Sequence, residues 1–257
     1  MTPPRAIGLL ATRNRHEQAH HAAHLFFEQC YDGPKTLLIY DDSTTSFALC
    51  EAFAGEDVVV ANVPPIKLPV KRNAMMRAAI ARDPDAIYFV WDDDDYNGPT
   101  RIARQVAALQ TNRYADGVIF CPYLTYDVET RRLARLNKAT LHRLPVRVFT
   151  DATLAFRRQL WERLPWDENV DPNACWRWMQ EPVDRIIDIP GERDYVVVRH
   201  ASNHTAGMLP KRFHPKLWTP DVDVGWSSID VEQLLVSRCT GPLRPDPQAS
   251  AGSRTAR

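Results

Sequence analysis

Ala86-Ile87-Tyr88-Phe89-Val90-Trp91, followed at once by Asp92-Asp93-Asp94-Asp95, is the stretch on which the reading of this chain turns. Six residues rich in β-branched and aromatic side chains spell a buried strand. That strand delivers four carboxylates in a row to its carboxyl end. Adjacent negative charges repel, so the arrangement needs a counter-charge, a bound cation or full solvation. In open α/β sheets ligands bind outside the carboxyl ends of the strands. A divalent cation carrying a phosphorylated ligand satisfies both conditions. Asp92 and Asp94 lie on one side of an extended chain, because strand side chains alternate with period two. Such a D-x-D pair holds a hard cation through one carboxylate while the other touches the ligand or a metal-bound water. The alternative is a solvated acidic loop ahead of a helix, where negative charge suits the helix dipole. An EF-hand is excluded. Asp93, Asp95, Asn97 and Gly98 fit its early positions, but the required late Glu is Arg104, and a strand precedes the loop where a helix should stand.

Working outward toward the N-terminus, Ala6 to Ala11 reads as a first buried strand ending at Thr12-Arg13-Asn14-Arg15. Helical spacing follows, with Ala19, Ala22 or Ala23, Phe26 and Cys30 on one face, and Asp32-Gly33-Pro34 breaks it. Thr36 to Tyr40 is a second strand that also ends in carboxylates, Asp41-Asp42-Ser43. A short helical pattern from Phe47 to Phe53 leads to a third strand, Val58-Val59-Val60, and Pro64, Pro65 and Pro69 mark an irregular loop. Lys71 to Arg82 is predicted as a helix with a basic first turn. Positive charge there opposes the macrodipole, and an anion near Arg72 would account for it. After the acidic stretch, Pro99 suits a first helical position, opening a helix to about Asn112 with Ile102, Val106 and Leu109 on its buried face. Strands alternating with helices over roughly the first 110 residues predict an α/β fold with a doubly wound, mainly parallel sheet.

The second half is patterned differently. Val118-Ile119-Phe120 and Tyr123 to Val128 read as strands around a turn, while Thr130 to Leu144 is basic and irregular. Thr153 to Phe156 reads as a strand entering a helix at Arg158 to Leu164. Trp166, Trp176 and Trp178 follow, then strands at Ile186-Ile187 and Tyr195 to Arg199. The division expected is a flexible start (1–5), a first half of alternating strands and helices (6–115), a differently patterned second half (116–205), an extension (206–240) and a disordered tail (241–257).

Composition excludes several classes. With 257 residues, 44% hydrophobic and 25% charged, the chain has the make-up of a globular protein. Lys+Arg and Asp+Glu both number 32, so overall charge gives no support for a nucleic-acid binder. The run Arg131-Arg132, Arg135, Lys138, His142-Arg143, Arg147 suits a solvated or acceptor-side loop, or contact with a phosphate backbone. Five scattered cysteines without CxxC spacing point to reduced thiols. Neither a signal-peptide apolar region nor a run of about 18 apolar residues occurs, so a cytoplasmic protein without a membrane span is expected.

Strand 1 is followed by Thr12-Arg13-Asn14-Arg15, not by G-x-G-x-x-G, and G-x-x-x-x-G-K-[ST] occurs nowhere. Ordinary dinucleotide binding and P-loop chemistry are therefore disfavoured. An Asp at a strand end such as Asp41 or Asp42 accepts hydrogen bonds from a ribose hydroxyl or a base N–H; an Asx turn or a cap is the plainer alternative. His16, His20 and His24 stand at helical spacing without acidic or thiolate company, so an exposed helix face is expected of them in preference to a metal site.

The segments IGLLATRNR, LLIYDDSTTS, KRNAMMRAAIARDPDAIYFVWDDDDYNGPTRIARQVAAL, TLAFRRQLWERL and YVVVRHASNHT, in this order over residues 6–205, together resemble a family-2-type glycosyltransferase of the GT-A fold. The resemblance implies a nucleotide-sugar donor, usually a UDP-sugar, a Mn²⁺ or Mg²⁺ ion, a hydroxyl acceptor and inversion. Carried over, Thr12 and Arg13 line the nucleotide pocket, Asp41 or Asp42 contacts the uridine, and Arg72 lies near the nucleotide. Asp92 and Asp94 form the D-x-D, with Asp93 beside the donor, and His200 is a late metal ligand. A metal and Arg72 would neutralise a departing diphosphate. The sequence departs from the family at the general base, where Ala174-Cys175 stands in place of an acidic pair. Asp171 is then the candidate to deprotonate the acceptor, with Asp167 and Glu168 behind it, and Trp176 and Trp178 are acceptor-side candidates for stacking on a sugar. A sugar-phosphate nucleotidyltransferase, expected to carry a Gly-rich first loop, and a non-catalytic nucleotide-sugar or glycan binder are the rival readings.

Overall fold

A computed structural model describes residues 2–49, 51–136, 150–170 and 185–200, and the backbone of 218–220. The candidates Asp171, Trp176 and Trp178, and the tail expected to be disordered, lie outside the described residues.

The core is a seven-stranded sheet. Its parallel half contains β1 (Ala6–Thr12), β2 (Lys35–Asp41), β3 (Val58–Asn62) and β4 (Ile87–Val90). β1 lies at the centre, in parallel register with β2 (Leu9 opposite Leu38) and with β4 (Leu9 opposite Val90). β5 (Tyr96–Asn97) belongs to a second sheet. β6 (Gly117–Phe120) is in the first sheet, whereas β7 (Leu124–Asp127) and β8 (Arg132–Leu136) are in the second. β9 (Ala155–Phe156) runs antiparallel between β4 and β6, and β10 (Ile186–Ile189) closes the far edge beside β6. The order of the large sheet is β10-β6-β9-β4-β1-β2-β3. β11 (Tyr195–Arg199) and β12 (Trp218–Pro220) complete the second, five-stranded sheet in the order β12-β8-β7-β11-β5.

Strand alternation sorts the side chains of the large sheet into two faces. Ala6, Leu10, Leu37, Ile39, Ile87, Phe89 and Trp91 point to one face, covered by α1 (His16–Phe27) and α3 (Arg101–Thr111). Ile7, Leu9, Leu38, Tyr88 and Val90 point to the other, covered by α2 (Leu68–Arg82) and α4 (Arg158–Arg163). Gly8 makes room on the first face, since a Cβ there would stand 2.6 Å from the Phe26 ring. Trp91, fully buried, donates its indole N–H to the Ala22 carbonyl at 2.9 Å and so ties the end of β4 to α1.

Four local expectations need correction. The helical pattern at Phe47 to Phe53 is only a 3₁₀ turn at Glu51–Phe53. The Asn62 side chain exchanges hydrogen bonds with both backbone groups of Phe47, 2.8 and 3.2 Å, giving that segment a strand-like partner in place of a helix. α2 starts at Leu68 with Pro69 in its first turn, so Lys71 and Arg72 lie beyond the unpaired N–H groups and are directed inward. Residues 132–136, read as irregular, form β8: Leu133, Ala134 and Leu136 are buried while Arg132 and Arg135 are exposed, so the strand lacks the simple alternation that would have marked it. The strand read at Thr153 to Phe156 is preceded by a 3₁₀ turn, Asp151–Thr153, and narrows to Ala155–Phe156.

β5 hangs the second sheet over the acidic stretch. Gly98 donates its N–H to the Asp194 carbonyl at 2.8 Å, and a Cβ on Gly98 would lie 2.7 Å from the Arg193 carbonyl oxygen and 2.9 Å from the Asp194 Cα. These neighbours are backbone and cannot turn aside. Gly98→Ala is expected to cost about 1–3 kcal/mol in urea unfolding, as overpacking does elsewhere, whereas Gly55→Ala, with nothing within 4 Å of its added methyl, tests strain at φ +93° alone.

Candidate functional site

One edge of the large sheet collects the chemistry. The carboxyl ends of the parallel strands β1, β2 and β4 point the same way, and β9, being antiparallel, brings the residues before it to that edge. Thr12, Asp41-Asp42, Asp92 to Asp95 and Asp151 therefore meet there. α2 adds Lys71 and Arg72 from one face, and the end of β11 adds His200.

Each of the four adjacent carboxylates has its own set of partners, with Arg15 shared by Asp93 and Asp94. Asp92 accepts from Arg72 Nη2 at 2.8 Å. Asp93 accepts from the Thr12 hydroxyl at 2.7 Å and from Arg15 Nη1 at 2.9 Å. Asp94 accepts from Arg15 at 2.7 Å and lies 3.2 Å from His200 Nε2. Asp95 accepts from the Tyr195 hydroxyl and, at 3.0 Å, from the Val198 backbone N–H. Burial pushes Asp92 up to about 7, helped by the charges of Asp151, Asp94 and Asp93 and opposed by Arg72. Burial and neighbouring carboxylates hold Asp93 above the usual range and Asp95 well above it. Burial pushes Asp94 the same way, but His200 and Arg15 outweigh it and hold this carboxyl below its ordinary value. Asp94 is thus the member of the four most firmly ionised at neutral pH.

Beneath the cluster lies a cation that motif reading did not single out. Arg101, fully buried, donates to the carbonyls of Val90 and Ala152, both at 2.8 Å, to Gln105 Oε1 at 3.2 Å and to the Asn97 side chain. Its guanidinium carbon lies 4.7 Å from the Trp91 ring centroid and 5.3 Å from that of Tyr195. Burial lowers it to about 10, against the upward pull of Tyr195, Asp92, Asp95 and Asp194. The guanidinium remains charged and offsets part of the repulsion above it.

Asp92, Asp94 and Asp95 each offer a carboxylate oxygen, all within 4.8 Å of one another. An all-oxygen donor set at this spacing suits a hard divalent cation. Asp95 already accepts a hydrogen bond on each oxygen, so Asp92 and Asp94 with His200 beside them form the set best placed to hold Mn²⁺ or Mg²⁺. Asp93, carried over as a donor contact, faces Thr12 and Arg15.

At the end of β2 the two carboxylates divide. Asp42 is engaged by Lys71, which also donates to the Thr12 carbonyl at 2.9 Å, and by the Ile66 N–H at 3.2 Å. Asp41 accepts from the Ser43 hydroxyl and N–H on Oδ1, while its buried Oδ2 accepts no hydrogen bond and faces His16 Nε2 at 3.7 Å. Of the two candidates for a nucleoside contact, Asp41 keeps the acceptor oxygen. Arg13 is exposed, and Arg15 comes inward in its stead because Asn14 adopts a left-handed φ of 53° between them. The histidines expected on an exposed face are half-buried: His20 packs at 5.0 Å on Phe47 and 6.2 Å on Phe53, and burial lowers its pKa. Asp167 caps a local turn through Asn169, and Glu168 accepts from Asn73 at 2.9 Å.

No protein-family model and no curated protein matches this sequence. Solved structures match the fold. Residues 1–349 of S. aureus TarS in complex with UDP-GlcNAc give a TM-score of 0.57 at 12% identity, over 79% of this chain and 60% of that one. The mannosyltransferase PcManGT from Pyrobaculum calidifontis, in complex with GDP-Man and Mn²⁺, gives 0.51 at 14% identity, over 79% and 59%. The chain thus spans about 60% of the length of these structures, and the likeness is one of fold: the GT-A class expected from the sequence. Among the described residues no helix is long and apolar enough to cross a membrane.

The pair Lys71–Asp42 is buried on both sides, with side-chain exposures of 5% and 1%. Lys71→Met strands a buried carboxylate and is expected to cost about 3–5 kcal/mol in chemical denaturation, while Lys71→Met with Asp42→Leu recovers most of that loss. A double variant as unstable as the single one would mean that the charge pair is not what the site relies on here.

Proposed function

We propose that this protein is a metal-dependent glycosyltransferase that moves a sugar from a nucleotide-sugar donor to a hydroxyl acceptor. The observation that carries this reading is the trio Asp92, Asp94 and Asp95, with an oxygen of each within 4.8 Å of the others, together with His200 at 3.2 Å from Asp94 and the buried Arg72 on Asp92, at the carboxyl edge of the sheet. The fold it shares with structures holding UDP-GlcNAc or GDP-Man and Mn²⁺ supports it.

In this reading the nucleoside lies over the ends of β1 and β2, and the Oδ2 of Asp41, buried and accepting no hydrogen bond within the protein, accepts a base N–H or a ribose hydroxyl. Thr12 and Arg13 border that pocket. A Mn²⁺ or Mg²⁺ ion held by Asp92, Asp94 and His200 would supply charge neutralisation for the diphosphate. Arg72 meets the diphosphate from the α2 side, adding a fixed positive charge where negative charge grows as the glycosidic bond breaks. Its guanidinium, 5% exposed and 5.9 Å from the Trp166 ring centroid, is held in place before any ligand arrives, so little reorganisation accompanies bond cleavage. On the acceptor side Asp171 takes the hydroxyl proton as the new bond forms on the opposite face, giving inversion. Trp176 and Trp178 flank the acceptor.

Thermal unfolding with a panel of UDP- and GDP-sugars, with and without Mn²⁺, tests this. A hundredfold excess over Kd of a ligand that binds only the folded state stabilises by about 2.7 kcal/mol, readily seen as a shift in Tm. The shift is expected to need Mn²⁺ in the wild type and to lose that dependence in Asp94→Ala. Equal shifts in both proteins with and without Mn²⁺ would remove Asp94 from the metal site.

A further inference from the structure

Asp151 takes no part in the functional scheme above, yet it is the second carboxylate on Arg72. Arg72 Nη2 donates to Asp92 at 2.8 Å, and its Nη1 donates to Asp151. The two acids come from distant parts of the chain: Asp92 from the end of β4, Asp151 from the 3₁₀ turn that enters β9. Asp151 stands on backbone that is bound on several sides. In its own turn the Ala152 carbonyl accepts from Arg101 at 2.8 Å and the Thr153 carbonyl from Gln105 at 2.7 Å; just after it, the Leu154 carbonyl accepts from the Val90 N–H at 3.1 Å. Arg101 and Gln105 are both fully buried. The Asp151 side chain is 16% exposed and that of Arg72 is 6% exposed.

A guanidinium forks, and one carboxylate on one nitrogen leaves it free to pivot. A second carboxylate on the other terminal nitrogen, carried by backbone that cannot shift, fixes the plane of the fork. We infer that Asp151 is the positioning residue that sets the orientation of Arg72 toward the diphosphate of the donor. This deepens the glycosyltransferase reading and rests on it. The Asp151 carboxylate is engaged by Arg72, so it is not assigned proton abstraction.

The inference separates binding from turnover. Asp151→Asn keeps the shape and removes one negative charge beside the diphosphate site, so an anionic ligand should bind no more weakly. A pivoting Arg72, however, would no longer meet the developing charge in the required place. Donor binding (Kd by calorimetry with UDP, GDP and their sugars plus Mn²⁺), acceptor-independent donor hydrolysis (nucleoside diphosphate release) and Tm are measured together for the wild type, Asp151→Asn, Asp151→Ala and Asp151→Glu. The expected result is a Kd within about threefold of wild type with hydrolysis down about tenfold to a hundredfold in the Asn and Ala variants, and part of the rate restored by Glu. Unchanged hydrolysis in both Asn and Ala would overturn the inference and leave the donor reading standing. A rise in Kd with a fall in rate and Tm together, without rescue by Glu, would also overturn it, as a purely structural role. A wild type that binds none of these nucleotides would overturn the donor reading and this inference with it.

Discussion

Everything at the functional edge depends on one electrostatic constraint: four consecutive carboxylates at the end of a buried strand repel one another and need compensating partners. The chain satisfies it by geometry, sending Asp92 to Arg72, Asp93 to Thr12 and Arg15, Asp94 to Arg15 and His200, and Asp95 to Tyr195. Burial and mutual repulsion also raise the pKa of three of the four acids, while His200 and Arg15 hold Asp94 low. Arg101 adds a positive charge from below. The partners come from β1, α1, α2, α3 and β11, so most of the fold is drawn into holding this turn.

Much of this was legible in the sequence because its signals were local. A β-branched and aromatic run ending in carboxylates gives both the strand and the direction of its functional end. Alternation of strands and helices gives the parallel sheet, and Asp92, Asp94, Arg72 and His200, marked by motif and resemblance, do lie together. What was not legible depends on direction and long-range pairing. Asp151 looks like a loop residue until β9 proves antiparallel and carries it to the active edge. Arg15 and Arg13 are equivalent on paper, and only the left-handed turn at Asn14 decides which points inward. Arg101 reads as an ordinary surface charge at a helix start, and nothing local predicts its complete burial. Asp41 and Asp42 were separated only by Lys71, whose inward course follows from the three extra residues at the start of α2.

The helix start illustrates how one local deviation reaches the site. Had α2 begun at Lys71, its two cations would have faced the dipole's positive end with exposed N–H groups around them. Beginning at Leu68 instead places a proline where a missing N–H costs nothing and moves Lys71 and Arg72 a turn inward. Each then spans from helix to strand end, Lys71 to β2 and Arg72 to β4. The next residue, Asn73, fastens the chain at Trp166 and Glu168 to the same helix through three hydrogen bonds of 2.9, 2.9 and 3.1 Å.

The antiparallel β9 has a consequence of another kind. It sits in the interior of the sheet, hydrogen-bonded to β4 on one side and β6 on the other, although it is drawn from residues far later in the chain. A fragment ending before residue 116 would therefore carry β4, the strand of the acidic turn, as a raw edge: Ile87 to Val90 would offer unpaired backbone groups along a wholly apolar run. Such an edge is a template for pairing with other chains. Residues 6–115 thus cannot be handled as a module cut at that point. During synthesis the same edge would stay open from the completion of β4 at Val90 until β9 emerges at Ala155, an interval in which the protein is exposed to misassociation.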